Sequence, residues 1–252
     1  MDLKLKGKCA IVTGSSRGVG RGIAIALSEE GAKVVVNYNK STVRAEELVE
    51  FIRKGGGEAY AVKADLGNPD DCRKLLEEAE KKYGSADILI NNAGVWPTNW
   101  IQDIPLDEWN KTININLTSV FLTSQAFVKY NIAKGKGGKI LNVTSQAAFH
   151  GSTTGHAHYA ASKAGVVALT VSMAREMAKY GINVNAIALG MVQTDMTSKA
   201  LEKNKEYYMK RIPIGRVAQP SDIANIALFL VSEPASYITG ATIDATGGML
   251  MR

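Results

Sequence analysis

Short apolar runs rich in β-branched residues alternate along the chain with amphipathic stretches whose apolar positions recur about every 3.6 residues. The apolar runs, which we predict to be strands, cover residues 9–13, 33–37, 59–63, 88–91, 139–143, 183–188 and 241–244. Helices are predicted between them, with the clearest apolar faces at residues 20–27, 45–52, 75–83 and 164–177. This alternation predicts an α/β fold with a doubly wound parallel sheet of about seven strands and helices on both faces. Ligands of such sheets bind at the carboxyl ends of the strands.

One segment interrupts this rhythm. Residues 192–214 carry Lys, Glu, Met and Tyr without a predicted strand, between two strand-and-helix units. We expect this segment to be a mobile helical flap over the ligand site, and its side chains to influence the choice of substrate.

The composition is that of one globular domain spanning residues 1–252. Hydrophobic residues make up 46% and charged residues 21%, and no Pro-rich or Ser-rich stretch has the character of a linker. The first residues lack the apolar run of a signal peptide, and no stretch approaches the roughly 18 to 20 apolar residues of a membrane span. The cysteines, Cys9 and Cys72, fall in a predicted strand and a predicted helix, which suits a reducing compartment. We therefore expect a cytoplasmic protein.

The chain carries a formal net charge of +6, which raises the question of an anionic partner. Its basic residues are interleaved with acidic ones along the whole length, and no basic arm or aromatic-basic stripe is present. This distribution argues against nucleic-acid binding. An anionic cofactor or an acidic protein partner fits the charge better.

A glycine-rich turn follows the first predicted strand and opens a helix. Residues 13–20 read Thr-Gly-Ser-Ser-Arg-Gly-Val-Gly. Glycines at such a place let backbone amides approach a pyrophosphate, whose charge the helix N-terminus stabilises. Tight packing is the alternative explanation, but the alternating pattern favours a dinucleotide site. The candidate cofactor-binding residues here are Gly14, Ser16, Arg17, Gly18, Val19 and Gly20.

Two further turns lie where the rest of a dinucleotide should reach. Asp65 and Leu66 follow the third strand, and Asp65 is suited to accept a hydrogen bond from an adenine amino group. Residues 91–94, Asn-Asn-Ala-Gly, follow the fourth strand. Their paired Asn side chains can tie strand ends together while the glycine leaves room for a ribose. Asn92, Ala93 and Gly94 are therefore candidate cofactor-binding residues.

The end of the second strand distinguishes NAD from NADP. An acidic residue there would bind a free ribose 2′-hydroxyl and repel a 2′-phosphate. This chain reads Asn37-Tyr38-Asn39-Lys40-Ser41 and has no such acid. With Asn39 placed at the ribose and Arg17 and Lys40 near the phosphate, we predict a preference for NADP(H), with NAD(H) as the alternative.

Tyr159 and Lys163 stand four residues apart at the start of a long predicted helix, so their side chains share one face. A phenol has a pKa near 10, and a nearby positive charge lowers it by about 1 to 3 units. Lys163 and an oxidised nicotinamide ring together would lower the pKa of Tyr159 enough for the phenol to exchange its proton near neutral pH. Tyr159 would then give a proton to a ketone oxygen during hydride transfer and take it back in the reverse direction.

The ordered motifs resemble those of the short-chain dehydrogenase/reductase family over nearly the whole chain. The resemblance implies a Rossmann-type domain and a catalytic set of Asn116, Ser145, Tyr159 and Lys163, in which Ser145 binds the substrate oxygen and Asn116 holds a water that relays protons to Lys163. It also places Tyr159 and Lys163 against the nicotinamide, whose carboxamide is held by Val192 and Thr194. The matching pieces are the turn at residues 13–20, Asp65, residues 91–94, Asn116, Ser145, Tyr159 with Lys163, Gly190 and Thr194.

The chain departs from the family pattern in two places. The loop from Ser145 to Tyr159 is one residue longer than usual, which makes Thr144 the alternative to Ser145. Leu189 stands where proline usually precedes Gly190, and losing that rigid φ angle would loosen the turn. Asn114, two residues earlier, is the alternative to Asn116 as the asparagine that holds the relay water.

Within the family the chain is most similar to 3-oxoacyl-[acyl-carrier-protein] reductases, through residues 34–38, 116–121 and 237–240. This resemblance implies a homotetramer, assembled through the helices at Asn116 and Tyr159 and residues 241–252, and an acidic carrier protein docked on Lys129 and Arg175. A sugar or polyol dehydrogenase is the competing interpretation, because of residues 135–139 and the polar loop before Tyr159. A catalytically silent nucleotide-binding scaffold is the alternative from another class.

All three histidines, His150, His156 and His158, fall just before Tyr159. No cysteine or acid accompanies them in this loop, so we expect no metal site. They are interpreted as solvated loop residues. The alternative hypothesis is that His150 or His156 hydrogen-bonds a polar group of the substrate.

Overall fold

The computed structural model describes residues 1–152 and 154–251. It contains seven strands: β1 Cys9–Val12, β2 Lys33–Tyr38, β3 Glu58–Lys63, β4 Ile88–Asn91, β5 Gly138–Ser145, β6 Ile182–Leu189 and β7 Thr242–Ala245. The strands form one parallel sheet in the order β3-β2-β1-β4-β5-β6-β7. The order reverses direction between β1 and β4, so the predicted doubly wound α/β sheet is confirmed.

Nine α-helices connect and extend the strands in the described chain. They are α1 Gly18–Glu29, α2 Thr42–Lys54, α3 Pro69–Tyr83, α4 Leu106–Ile113, α5 Ser119–Ala133, α6 Ala147–His150, α7 Ala157–Met177, α8 Ser198–Met209 and α9 Pro220–Val231. A π-helical segment, Asn114–Thr118, joins α4 to α5. Short 3₁₀ turns lie at Ile101–Asp103, Ala178–Tyr180 and Glu233–Ala235.

The central strands are buried on both faces, which explains their continuous apolar sequences. In β1, Ala10 and Val12 pack on one side with residues of α1, α2 and α9. Cys9 and Ile11 face the other side, where residues of α3, α5 and α7 cover them. The two cores lock the register of the sheet, because a slip of one residue would exchange its faces.

The predicted flap contains a helix, as expected. Helix α8 occupies the middle of residues 192–214, and its buried Leu201 packs with Met191 and Ile212 in a small separate cluster. The mobility of the flap stays a prediction. No helix within residues 1–152 and 154–251 is long and apolar enough to cross a membrane.

Candidate active site

The sequence-predicted motifs converge at the carboxyl edge of the sheet. The glycine turn follows β1, residues 92–94 follow β4, Ser145 ends β5 and Gly190 follows β6. Parallel strands bring these segments together although they are far apart in the sequence.

The glycine turn packs closely against Asn92 and Ala93, which follow β4. A Cβ on Gly14 would lie 2.9 Å from Ala93 Cα, and one on Gly20 would lie 2.5 Å from Asn92 Nδ2. Gly14 and Gly18 also have positive φ angles of 61° and 58°, which larger residues adopt only under strain. Helix α1 begins within this motif, at Gly18, without a side-chain cap and without an acidic residue in its first turn. Its N-terminal amides are therefore available to an anion.

Hydrogen bonds from Asn92 and Thr13 hold the turn in place. Asn92 Nδ2 donates to the carbonyl oxygens of Thr13 and Gly14 at 2.9 and 3.2 Å. The hydroxyl of Thr13 accepts from the amides of Asn92 and Ala93 at 2.9 and 3.0 Å. Asn92 therefore ties the end of β4 to the turn after β1, as expected. Its partner Asn91 is buried and joins β4 to Asn142 of β5 through a 2.9 Å hydrogen bond.

Asp65 and Leu66 lie just beyond β3, at the same edge of the sheet. Asp65 Oδ1 accepts a 3.0 Å hydrogen bond from the amide of Gly67, while its own amide donates to Asp71 at 2.7 Å. Leu66 is buried below this turn. The Asp65 side chain is thus anchored locally and remains exposed at the edge.

The end of β2 presents basic groups and no acid. Asn39 and Lys40 are exposed there. Arg17 Nη1 lies 3.9 Å from Asp195 Oδ2 of the flap, and Arg44 pairs with the same carboxylate. Our sequence reasoning did not consider Arg44, which enters the site because α2 begins beside the glycine turn.

The side chains of Ser145 and Tyr159 line one cavity, and Ser145 lies close enough to lower the pKa of the Tyr159 phenol, whereas the hydroxyl of Thr144 donates to the Lys163 carbonyl oxygen at 2.9 Å. The structure therefore places Ser145, and not the alternative Thr144, beside the tyrosine. Helix α6 follows Ser145 and ends at His150, with Gly151 as its C-cap at a φ of 73°.

Lys163 is 4% exposed and lies one turn beyond Tyr159 on α7. Its Nζ donates a 2.8 Å hydrogen bond to the carbonyl oxygen of Val143. Burial lowers the pKa of Lys163 to about 8, because the charged form loses its water shell.

Two protein contributions act on the pKa of Tyr159 in opposite directions. Burial of the phenol raises this pKa, and interaction with the Ser145 side chain lowers it by less. The expected lowering involved Lys163 together with an oxidised nicotinamide ring, and only the lysine belongs to the chain. The phenol consequently keeps its proton at neutral pH.

Asn116 lies in the π-helical segment and is fully buried. Its Oδ1 accepts from the amide of Val95 at 2.8 Å, and its Nδ2 donates to the Ser162 hydroxyl at 3.1 Å. Ser162 in turn donates to the Tyr159 carbonyl oxygen at 2.7 Å. Asn114 points elsewhere, since its Nδ2 donates to the Gly67 carbonyl oxygen at 2.9 Å. Asn116 is thus connected to the tyrosine and Asn114 is not, while the linking role of Ser162 was missed.

A cavity of about 130 Å³ opens beside the Tyr159 hydroxyl. Flap residues Met196, Tyr207 and Arg211 line it, so the predicted flap does border this site. Trp96 contributes an aromatic wall, with its ring centroid 6.5 Å from that of Tyr159 in an edge-to-face arrangement. Nothing in the sequence around Trp96 indicated this position.

The interpretation of the histidines as solvated was wrong for two of them. His156 and His158 are only 5% and 0% exposed, whereas His150 is exposed. Helix α7 begins at Ala157, so His158 lies in its first turn, packed 3.2 Å from Glu108 Oε1, and His156 precedes that turn. His150 and His156 both line the cavity. No cluster of three metal-ligating side chains occurs among the described residues.

The segment after β6 closes the site on the flap side. Leu189 belongs to β6 itself and its carbonyl oxygen accepts from the Gln146 amide at 2.9 Å, so the absence of proline leaves a regular strand end. Gly190 fits closely against Thr246, and Val192 is buried. Thr194 lies against the glycine turn, because a Cβ on Gly18 would be 3.4 Å from its Cγ2.

Comparisons with known proteins identify the family. A family model described as enoyl-(acyl carrier protein) reductase matches residues 14–250. The 3-oxoacyl-[acyl-carrier-protein] reductase FabG of Staphylococcus epidermidis is 42% identical over 244 residues, which cover 97% of this chain and 99% of that protein. The chain is a short-chain dehydrogenase/reductase.

Solved structures of other short-chain dehydrogenases/reductases share its fold. A 7α-hydroxysteroid dehydrogenase complexed with NADH and 7-oxo glycochenodeoxycholic acid superposes with a TM-score of 0.93 at 36% identity, covering 98% of this chain and 96% of that one. A short-chain dehydrogenase from Burkholderia cenocepacia in complex with NADP gives a TM-score of 0.91 at 34% identity, covering 98% and 99%. As a short-chain dehydrogenase/reductase, the protein is an NAD(P)-dependent oxidoreductase acting on carbonyl or hydroxyl groups.

The groove that runs from the glycine turn past Gly94 to Lys163, called the cradle below, fits a nicotinamide dinucleotide. Close backbone approaches at Gly14 and Gly20 and the uncapped start of α1 suit a pyrophosphate. A Cβ on Gly94 would lie 3.7 Å from Lys163 Nζ and 3.2 Å from Asn116 Oδ1, so any larger residue there would intrude on these groups. The cradle therefore leads from the glycine turn to the catalytic candidates without obstruction from Gly94.

Proposed function

We propose that the protein is an NADP(H)-preferring reductase of 3-oxoacyl thioesters in which Tyr159 is the proton donor. The observation that carries the proposal is the placement of Tyr159 and Ser145 on one cavity, with the buried Lys163 one helical turn beyond the tyrosine. The identity of 42% with FabG over nearly the whole chain supports the thioester substrate. The complete set of four polar catalytic candidates argues against the silent scaffold.

The nicotinamide cofactor, when bound, supplies the hydride. Ser145 and Tyr159 bind the carbonyl oxygen of the substrate, and Tyr159 transfers its proton to that oxygen as negative charge develops. Burial keeps the pKa of Tyr159 raised, so the phenol is protonated and ready for reduction at neutral pH. Lys163 stabilises the resulting phenolate. Asn116 and Ser162 fix the backbone at Tyr159 through hydrogen bonds, and Asn116 holds the water that relays protons to Lys163.

We assign the cofactor contacts by position. The glycine turn at Gly14, Ser16, Arg17, Gly18, Val19 and Gly20 holds the pyrophosphate, and Asp65 with Leu66 faces the adenine. Asn39, Asn92, Ala93 and Gly94 border the adenosine ribose, while Tyr159, Lys163, Gly190, Val192 and Thr194 border the nicotinamide end.

The preference for NADP(H) is supported by the charges at the end of β2. Arg17 and Arg44 both approach Asp195, and the side chain of each arginine is more than half exposed. Lys40 is exposed at the end of β2. Since Asp195 neutralises only part of this positive charge, a 2′-phosphate has charge-assisted donors available.

The acyl group would arrive on an acidic carrier protein. Lys129 on α5 and Arg175 on α7 are exposed, and neither forms an ion pair among the described residues. The alternative that these are salt-bridged surface residues therefore loses support. Free basic groups of this kind are suited to steer an acidic protein toward the site.

We further propose a cytoplasmic homotetramer with a mobile flap at residues 192–214. Phe121 on α5 is 44% exposed and Met251 near the C-terminus is 77% exposed, which supports contacts between subunits at these two surfaces. Cys9 and Cys72 are buried and free, as in a reducing compartment.

A substrate panel tests the proposal. Purified protein is mixed with NADPH or NADH and with an acetoacetyl thioester or a set of sugar ketones, and cofactor oxidation is followed. We expect the highest kcat/KM for the thioester with NADPH. A higher kcat/KM for the sugar ketones would instead support the sugar or polyol dehydrogenase, and no turnover of any ketone would support a silent scaffold.

A further inference from the structure

Gln146 follows Ser145, the proposed substrate-binding serine, in the sequence. Its side chain lines the same cavity as Tyr159. Its Oε1 atom is buried and has no hydrogen-bond partner among the described residues. A buried acceptor without a donor costs about 1 to 3 kcal/mol, and native structures retain such atoms mainly where a ligand or water satisfies them. The backbone of Gln146 is fixed, because its amide donates to the Leu189 carbonyl oxygen at 2.9 Å.

His156 presents a second acceptor to this cavity. Its Nδ1 lies 2.7 Å from the carbonyl oxygen of Pro97, which can only accept, so Nδ1 carries the proton. Burial lowers the pKa of His156 and keeps the ring neutral at pH 7. The other nitrogen, Nε2, then has a lone pair and accepts hydrogen bonds.

The imidazole ring is held in this orientation by its surroundings. It stacks on Trp96 with ring centroids 4.4 Å apart and an interplanar angle of 23°. The segment before it is tied to Asn99, whose amide donates to the Gly155 carbonyl oxygen at 2.8 Å and whose side chain donates to Glu108 at 2.8 Å. A preorganised acceptor loses little entropy when a ligand binds.

We propose that Gln146 Oε1 and His156 Nε2 form an acceptor subsite that takes an N–H or O–H donor of the ketone substrate. In a thioester of the pantetheine type the donor is the amide N–H next to the thioethyl group, and in a hydroxyketone it is the neighbouring hydroxyl. The inference rests on the proposed ketone reductase and specifies which ketones it prefers. A site built to accept such a bond discriminates against substrates that lack the donor, because its acceptors would stay unpaired.

Two matched pairs of ketones distinguish the sources of the donor. Acetoacetyl-N-acetylcysteamine is compared with S-pentyl acetothioacetate, a thioester of similar length without an amide. Similarly, 1-hydroxy-2-butanone is compared with 3-pentanone, in which a methyl group replaces the hydroxyl. Each substrate is assayed with NADPH and wild-type protein, Gln146→Met and His156→Phe, where phenylalanine preserves a ring against Trp96. Gln102→Met, an exposed position, is the matched control.

The wild type should favour the donor-bearing member of at least one pair, and each subsite variant should reduce kcat/KM for that member by about tenfold or more. The values for the donor-free member should change less than threefold, and Gln102→Met should change neither. Equal losses for both members would show a purely structural role and overturn the subsite. Unchanged kcat/KM values in both variants would show that the two acceptors bind only water, and would also overturn the subsite.

Failure of the subsite and failure of the proposed function give different results. If the thioesters are not reduced but the hydroxyketone pair shows the selective loss, the subsite stands and the thioester function is wrong. If both thioesters are reduced equally well by all variants and the hydroxyketone pair shows no selective loss, the reductase function stands and the subsite is wrong. Circular dichroism and NADPH affinity of each variant separate these outcomes from misfolding.

Discussion

The ammonium group of Lys163 lies 5.8 Å from the centroid of the Tyr159 ring, with its hydrogen bond directed to the Val143 carbonyl oxygen. The lysine is therefore positioned near the phenol but bonded to the backbone of β5. This packing buries the lysine and thereby lowers its pKa, and both effects can be tested by substitution.

Replacing Tyr159 with phenylalanine removes the proton donor while keeping the ring. We expect Tyr159→Phe to lower kcat by a factor of about 10² to 10⁴ with little change in NADPH affinity, because general-acid catalysis contributes roughly this amount. Steady-state reduction of an acetoacetyl thioester and fluorescence titration of NADPH measure the two effects. Tyr83→Phe, at a tyrosine packed against the opposite end of the sheet, should retain full activity.

Lys163 should make the free energy of unfolding depend on pH. Its pKa is about 8 in the folded chain and 10.5 in the reference state, so between these values the unfolded chain binds more protons and stability rises with pH. Below about pH 8 the buried charge costs on the order of 3 kcal/mol. Urea denaturation without cofactor should show the wild type gaining that amount relative to Lys163→Met between pH 8 and pH 10.5.

The comparison with Lys163→Met is essential because other groups titrate in the same range. Burial raises the pKa of Tyr83 and of Cys9, each to about 12, and such groups make stability fall as the pH rises. These contributions cancel in the difference between the two proteins. A difference independent of pH would contradict the lowered pKa of Lys163.

Arg17 should select the cofactor. Arg17→Ala removes a charge-assisted donor to a 2′-phosphate, so we expect KM for NADPH to increase about ten- to hundredfold and KM for NADH to change little. Combining it with Arg44→Ala should increase the NADPH effect further. Lys54→Ala on the same helix as Arg44, α2, is the control. Equal effects on the two cofactors would show that these arginines do not bind the phosphate.

Gly20 should tolerate no side chain. In Gly20→Ala the new methyl group would lie 2.5 Å from Asn92 Nδ2 and 2.8 Å from the Gly14 carbonyl oxygen. We expect overpacking of about 1 to 3 kcal/mol, which lowers the melting temperature by roughly 2 to 12 °C, together with weaker NADPH binding. Gly55→Ala is the matched control, because its Cβ would meet nothing closer than 3.4 Å. Similar losses in both variants would contradict the close packing of the glycine turn.

Much of the fold was predictable because its signals are local. The strands of a parallel sheet are covered on both faces, so their apolar residues are continuous in the sequence, and β4 was predicted with both ends correct. The glycine turn and the spacing of Tyr159 and Lys163 are equally local, since a tight turn and one turn of helix each span a few residues. Neither required knowledge of distant contacts.

The choices of Asn116 over Asn114 and of Ser145 over Thr144 rested on the family resemblance, because local sequence patterns do not decide between such neighbours. A π-helical segment directs Asn116 toward Ser162 and Asn114 toward Gly67. Its extra residue per turn changes which side chain faces inward. Similarly, the end of β5 directs Ser145 into the cavity and Thr144 toward the backbone of α7.

The sequence by itself therefore determined the α/β sheet, the place of the cofactor turn and the tyrosine and lysine at its far end. Only the tertiary structure decided that His156 is buried, that Gln146 has an unpaired acceptor and that Arg44 and Arg17 both approach Asp195. The physical reason is that burial and hydrogen-bond satisfaction depend on atoms brought together from distant segments, whereas hydrophobic periodicity and turn chemistry act between residues adjacent in the chain.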